Sequence, residues 1–228
     1  MKSKLLTFFC FFSLVTCGAA DLVGNLNSWL IYSGNHVLSE KISIHSVVNI
    51  RKSIKLNQSQ AELYRLGINF HQNTKTILSG GVDYIKSYSS RISLLSKENL
   101  TRGIWETLQF KEQLGCIELV HRYRLEQLWS KESGSSENSY RNKLRYMILG
   151  KVSLNNSLKV VGFNELFLQF GHDSFGKVFD QNRAGLLIAY KIRKMEVQLG
   201  YLNQFISGNE SHHFINNNTL VLGIDYSI

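Results

Sequence analysis

The sequence predicts an all-β chain: an antiparallel, up-and-down transmembrane β-barrel of twelve strands, with ten as the alternative. Three observations carry this expectation. Strand-like segments set charge on one parity and Leu, Ile, Tyr or Phe on the other, and successive side chains of a strand point to opposite faces. The 228 residues contain no proline, which suits ladders whose backbone N–H groups must all be paired. Most segments run 10–14 residues, longer than the ~5–6 usual in soluble proteins and long enough for the ~9–11 of a tilted membrane strand.

Residues 1–20 are expected to be removed. Lys2 and Lys4 form a basic start, the run from Leu5 to Val15 is apolar except for Thr7 and Ser13, and Gly18-Ala19-Ala20 offers a cleavage site before Asp21. That is the layout of a secretory signal peptide, too short for a membrane span. Leu14-Val15-Thr16 ahead of Cys17-Gly18 offers a lipoprotein signal instead, with threonine an unusual residue before the cysteine. Residues 21–228 then make a single outer-membrane β-barrel domain. No later run approaches the ~18 apolar residues of a transmembrane helix, so any crossing is made by strands. Cys10 and Cys17 leave with the signal, and Cys116 alone cannot form an intrachain disulfide. The net charge of +9 becomes +7 without Lys2 and Lys4. That surplus suits an anionic surface such as outer-membrane lipid and lipopolysaccharide, while the dispersal of the basic residues argues against a nucleic-acid partner.

In chain order the segments are 29–38, 41–52, 61–71, 76–86, 104–114, 115–129, 140–152, 158–170, 181–192, 194–206 and 217–228. In the third, Tyr64, Leu66, Ile68 and Phe70 oppose Arg65 and Asn69. The fifth, 104–114, does not separate cleanly by parity. In the sixth, Arg122, Arg124 and Glu126 alternate with Tyr123 and Leu125. Arg141, Lys143 and Arg145 then oppose Leu144, Tyr146 and Ile148, and Glu165 and Gln169 oppose Leu166, Leu168 and Phe170. Arg183 and Lys191 oppose Leu186, Ile188 and Tyr190, while Glu196 and Gln198 oppose Val197, Leu199 and Tyr201. The last segment sets Leu220, Leu222, Ile224, Tyr226 and Ile228 against Thr219, Gly223, Asp225 and Ser227.

The connections alternate as well. Short ones at 38–41, 72–75, 112–115, 153–157 and 192–195 interleave with longer polar ones at 87–103, 130–139, 171–180 and 207–216; 53–60 is intermediate. Short turns at one end and long loops at the other are the asymmetry of an outer-membrane barrel. Eleven segments is an odd count, whereas bacterial single-chain barrels are even. A further strand near 21–28 or 87–103 makes twelve, and demoting the Trp29 segment makes ten.

Periodicity cannot say which face is wet. Strand length, the missing disulfide and the loop asymmetry favour lipid outside, with a lumen charge network of Arg65, Asp83, Glu118, Arg122, Arg124, Glu126, Arg141, Lys143, Arg145, Glu165, Arg183 and Glu196. Neighbouring strands should form Arg–carboxylate pairs through the planar guanidinium fork. Tyr64, Phe70, Tyr84, Tyr123, Tyr190, Phe205 and Tyr226 would form interfacial girdles.

Other chemistry is thinly supported. His121 falls on the lipid-facing parity, where Ser130 or a loop serine could approach it, but no G-x-S-x-G spacing accompanies the pair. His212-His213 lacks further ligand spacing, and Asp180-Gln181-Asn182 lacks the glycine and distal glutamate of a calcium loop. Cys116 reads as a small buried or lipid-facing residue, and Gly80-Gly81 as strand crowding or a bend. No catalytic, metal or cofactor residue is assigned.

Several blocks together resemble an uncharacterised bacterial family, domain of unknown function 2490. They are Ser28-Trp29, His121-Arg122-Tyr123-Arg124-Leu125-Glu126-Gln127, Arg141 to Tyr146, Asn164-Glu165, Phe179-Asp180-Gln181-Asn182-Arg183, Gly200-Tyr201-Leu202-Asn203-Gln204 and the final strand. The resemblance runs from Trp29 to the C-terminus and implies an exported outer-membrane β-barrel of Gram-negative bacteria, with no activity attached. Ile228 departs from the terminal Phe usual for such barrels. The expectation is a monomer, delivered by the outer-membrane assembly machinery, acting as a narrow pore for small polar or anionic solutes or as a structural barrel. The alternatives are an outer-membrane lipid-modifying enzyme using His121 and a soluble ligand-binding barrel.

Overall fold

Eleven strands curl into one closed sheet in the computed structural model, which describes residues 26–54, 58–88, 98–171, 178–208 and 214–228. They are β1 (Leu26–Val37), β2 (Ile42–Ser53), β3 (Gln58–His71), β4 (Thr76–Tyr88), β5 (Glu98–Leu114), β6 (Ile117–Glu132), β7 (Asn138–Ser153), β8 (Leu158–Phe170), β9 (Phe179–Ile192), β10 (Met195–Ser207) and β11 (Phe214–Ser227). Each of the eleven alternating segments of the sequence is a strand. The expected signal peptide, Cys17 and His212-His213 lie outside the described residues.

The twelve-strand expectation, and its ten-strand alternative, are corrected. The described residues of 87–103 lengthen β4 and β5, which pair with each other directly, and residues 26–28 begin β1. The Trp29 segment is a full wall strand: Leu26–Asn35 pair with Asn218–Ser227 of β11. The sheet is therefore closed with no gap for another strand. An odd meander sends its first and last strands the same way, so β1 and β11 close the wall in parallel, while the ten sequential pairs are antiparallel. The purely antiparallel expectation fails at this one seam. Ile228 completes it: its carbonyl accepts from Val37 N at 2.7 Å and its N–H donates to Asn35 O at 3.1 Å.

The short turns gather at one end, and local chemistry sets them. Asn73 Oδ1 accepts from Lys75 N and Thr76 N, both at 2.8 Å, and Asn155 Oδ1 does the same for Ser157 N and Leu158 N; the side chain substitutes for a backbone turn acceptor. The β5–β6 turn is Gly115-Cys116, with Gly115 at φ 62°, a left-handed conformation glycine adopts without a Cβ penalty. Cys116 is exposed there, not buried or in the wall as expected.

Facing positions on neighbouring strands share a side of the sheet, so burial sorts the two faces. Leu66, Ile68, Val82, Leu186, Ile188 and Leu199 are more than half exposed. Their inward neighbours are buried: Trp29, Val161, Leu187, Ala189, Leu202 and Val221 form an apolar cluster inside the β8–β1 wall, with Ile31, Leu149 and Phe163 against it. Across the interior, Trp105 of β5 lies on the glycines of β3 and β4; a Cβ on Gly81 would sit 2.7 Å from its ring. Large side chains thus fit a narrow barrel by facing positions that have none.

Candidate functional site

The buried charges converge because the strand register stacks them. Arg65 and Asp83 are direct partners across β3 and β4, and Arg65 grips the carboxylate with the Nε–Nη2 edge of its fork, at 2.6 and 2.5 Å. Its Nη2 also donates to Glu126 Oε1 at 3.0 Å. Glu126 accepts from Arg145 Nη1 at 2.5 Å, and Arg145 donates to Glu165 at 3.1 and 2.8 Å. Arg122 donates to the same Glu165 oxygen at 2.8 Å. The run Asp83–Arg65–Glu126–Arg145–Glu165–Arg122 therefore crosses the interior from β4 to β8. Arg124 donates to Thr107 at 2.9 Å and stands 3.9 Å from Glu126. Such charge-assisted, shared bonds are the ones that tolerate burial.

Aromatic rings fill the gaps between guanidiniums. Arg65 and Arg124 lie over Trp105 at 5.3 and 4.7 Å. Arg145 and Arg183 lie over Phe167 at 4.5 and 4.4 Å, and Arg51 and Arg183 over Trp29 at 4.2 and 5.1 Å. The ring faces are electron-rich and attract the cations.

Of the twelve residues singled out from sequence, seven join this network: Arg65, Asp83, Arg122, Arg124, Glu126, Arg145 and Glu165. Lys143 pairs instead with Asp180 at 2.7 Å. Glu118 and Glu196 sit apart towards the turn end, with Lys151 at 3.3 Å and Lys159 at 2.8 Å. Arg141 and Arg183 form no ion pair with a described residue. Sequence reasoning missed Arg51, although it shares parity with Ser43, Asn49 and Ser53, all buried; it also missed Asp180, whose role is to neutralise Lys143. The aromatic platforms Trp29 and Trp105 carried no signal beyond being apolar.

Outside the turn end, eight inward cations, Arg51, Arg65, Arg122, Arg124, Arg141, Lys143, Arg145 and Arg183, face only four carboxylates, Asp83, Glu126, Glu165 and Asp180, and five of the eight pair with them. The enclosed Nε atoms of Arg51, Arg122, Arg141 and Arg183, and Nη1 of Arg124, have no hydrogen-bond partner. Space for water is scarce: Trp105, Phe167, Val161 and Leu202 are no more than 3% exposed, and Ala189 and Thr219 are 0%.

His121 lies on the outer face, where Nδ1 meets Tyr146 Oη at 2.9 Å. Ser130 is buried and bonded to Thr101 Oγ1 at 2.7 Å. The two point to opposite sides of β6, so Ser130 cannot serve His121. Among the described residues no group of three or more His, Cys, Asp or Glu side chains could hold a metal ion.

A family model described as "Protein of unknown function (DUF2490)" matches residues 26–214, from the start of β1 to the first residue of β11. No curated protein matches the chain.

Proposed function

The chain belongs to the DUF2490 family, and from that premise we propose that it is an outer-membrane β-barrel whose filled interior braces the wall and blocks passage of solute. One observation carries the reading: apolar side chains are exposed around the outside, while at the centre of the barrel the inward Arg65, Asp83, Trp105, Arg124, Glu126, Glu165 and Phe167 are buried. Exposed apolar surface on that scale marks contact with something other than water, and a lipid-facing cation at the midplane would lose ~2–4 kcal/mol. Strands of 12–17 residues are long enough for a tilted crossing. The short turns then lie on the periplasmic side, the long connections on the cell surface, and outer-membrane lipid and lipopolysaccharide surround a monomer placed there by the assembly machinery.

A narrow anion-selective pore is the less favoured form of this reading. A conducting path would leave a continuous file of water beside the inward residues, whereas Trp105, Phe167 and the Arg–carboxylate run occupy that space. Fractionation and planar-bilayer recording test both parts. The chain should need detergent for extraction, migrate faster unheated than boiled, and give no steady conductance. Extraction in plain buffer would sink the membrane assignment; a steady open channel in the wild type would sink the occluded interior alone.

A further inference from the structure

We propose that the loop-side interior binds a small oxyanion, a phosphate, sulfate or carboxylate group, on the guanidinium groups of Arg51 and Arg183 flanking Trp29. The two arginines enter from β2 and β9 and reach the same indole, so their Cζ atoms are no more than 9.3 Å apart. Neither forms an ion pair or side-chain hydrogen bond with any described residue, and the Nε–H of each is enclosed without an acceptor. Arg65 and Arg145, by contrast, each hold two carboxylates. The difference is one of supply: outside the turn end, where Glu118, Glu196 and Asp225 lie with Lys151 and Lys159, eight interior cations face four carboxylates, and these two are among those left over.

An arginine keeps its charge in proteins, so the surplus cannot be relieved by losing a proton. The π face of Trp29 offsets only part of a positive charge. What matches the unused edge, Nε–H beside Nη–H, is a pair of oxygens on one anion, the bidentate geometry in which arginine recognises phosphate and carboxylate. Both arginines lie towards the loop-bearing end. Arg51 is two residues from the end of β2 there and Arg183 four from the start of β9, and both residues remain partly exposed, while Val161, Leu187 and Ala189 of the apolar cluster lie deeper.

The test uses the full mature chain refolded in a non-ionic detergent, titrated calorimetrically with sodium phosphate against sodium chloride of equal ionic strength, and separately with lipopolysaccharide. Saturable binding is expected, weakened at least tenfold by Arg51→Gln with Arg183→Gln and unchanged by Lys151→Gln at the turn end. Heat-modifiable mobility reports that each variant is folded. Binding of inorganic phosphate that the double variant loses supports a site for a free oxyanion; binding of lipopolysaccharide alone, lost in the same way, supports the same chemistry supplied by a lipid headgroup. Absence of saturable binding to either probe by the folded wild type, or binding that survives the double substitution, overturns the proposal.

Discussion

Glu126 on β6 and Glu106 on neighbouring β5 are the same side chain on opposite faces of one wall. Glu126 is buried and accepts from Arg65 and Arg145, with Arg124 close by. Glu106 is exposed on the outer face, facing Gly80 of β4 and Leu125 of β6, with no hydrogen bond or ion pair to a described residue. On the membrane reading, the first carboxylate has exchanged water for three guanidiniums, and the second has exchanged it for hydrocarbon. A carboxylate's contribution in this barrel is set by its parity.

The largest effect should come from the inner member. Glu126→Leu leaves Arg65 and Arg145 short of a partner inside a filled barrel, and breaking a buried pair from one side typically costs about 3–5 kcal/mol. Urea unfolding in detergent micelles should show that loss, and a loss below about 1 kcal/mol would mean that water already reaches the site. Next comes a charge placed on the outer face far from Glu106. Leu199 is 64% exposed on β10; Leu199→Arg should cost ~2–4 kcal/mol when the barrel is folded into lipid vesicles. If water bathes that face, the same substitution stays within about 0.5 kcal/mol, as ordinary surface changes do.

Much of the fold was legible because a period of two is a local signal. Eleven segments, their inward charges and the alternation of turn and loop follow from residues a few positions apart. Closure was not legible, because the pairing of Leu26–Asn35 with Asn218–Ser227 joins the two ends of the described chain and leaves no local mark. The evenness of known bacterial barrels then pulled the count towards twelve. The charge set was readable as a set, but not its pairings: Arg65 meets Asp83 by register, while Arg65 meets Glu126 only across the interior. Arg51 stayed hidden because its neighbours inside β2 are Asn and Ser rather than a repeating charge. The one segment whose parity failed, 104–114, fails for a packing reason. Trp105 fits inside against Gly67 and Gly81, between Arg65 and Arg124, and strand alternation then forces Glu106 outward.

That forced position gives the smallest and most diagnostic effect. On β5 Glu106 lies midway between Arg102, which faces Tyr84 and Trp129, and Phe110; these aromatic positions mark the two interfaces on the membrane reading, so the carboxylate sits near mid-depth. An acidic side chain there is penalised less than a basic one. Glu106→Leu should therefore stabilise the vesicle-embedded barrel by roughly 1–2 kcal/mol, the reverse in sign of Glu126→Leu. Gln at the same position should gain less, since it removes the charge and keeps the polar head. A Glu106→Leu barrel that unfolds at lower urea than the wild type would mean that this carboxylate has a partner in the membrane, and the opposition between the two faces of the wall would no longer hold at β5.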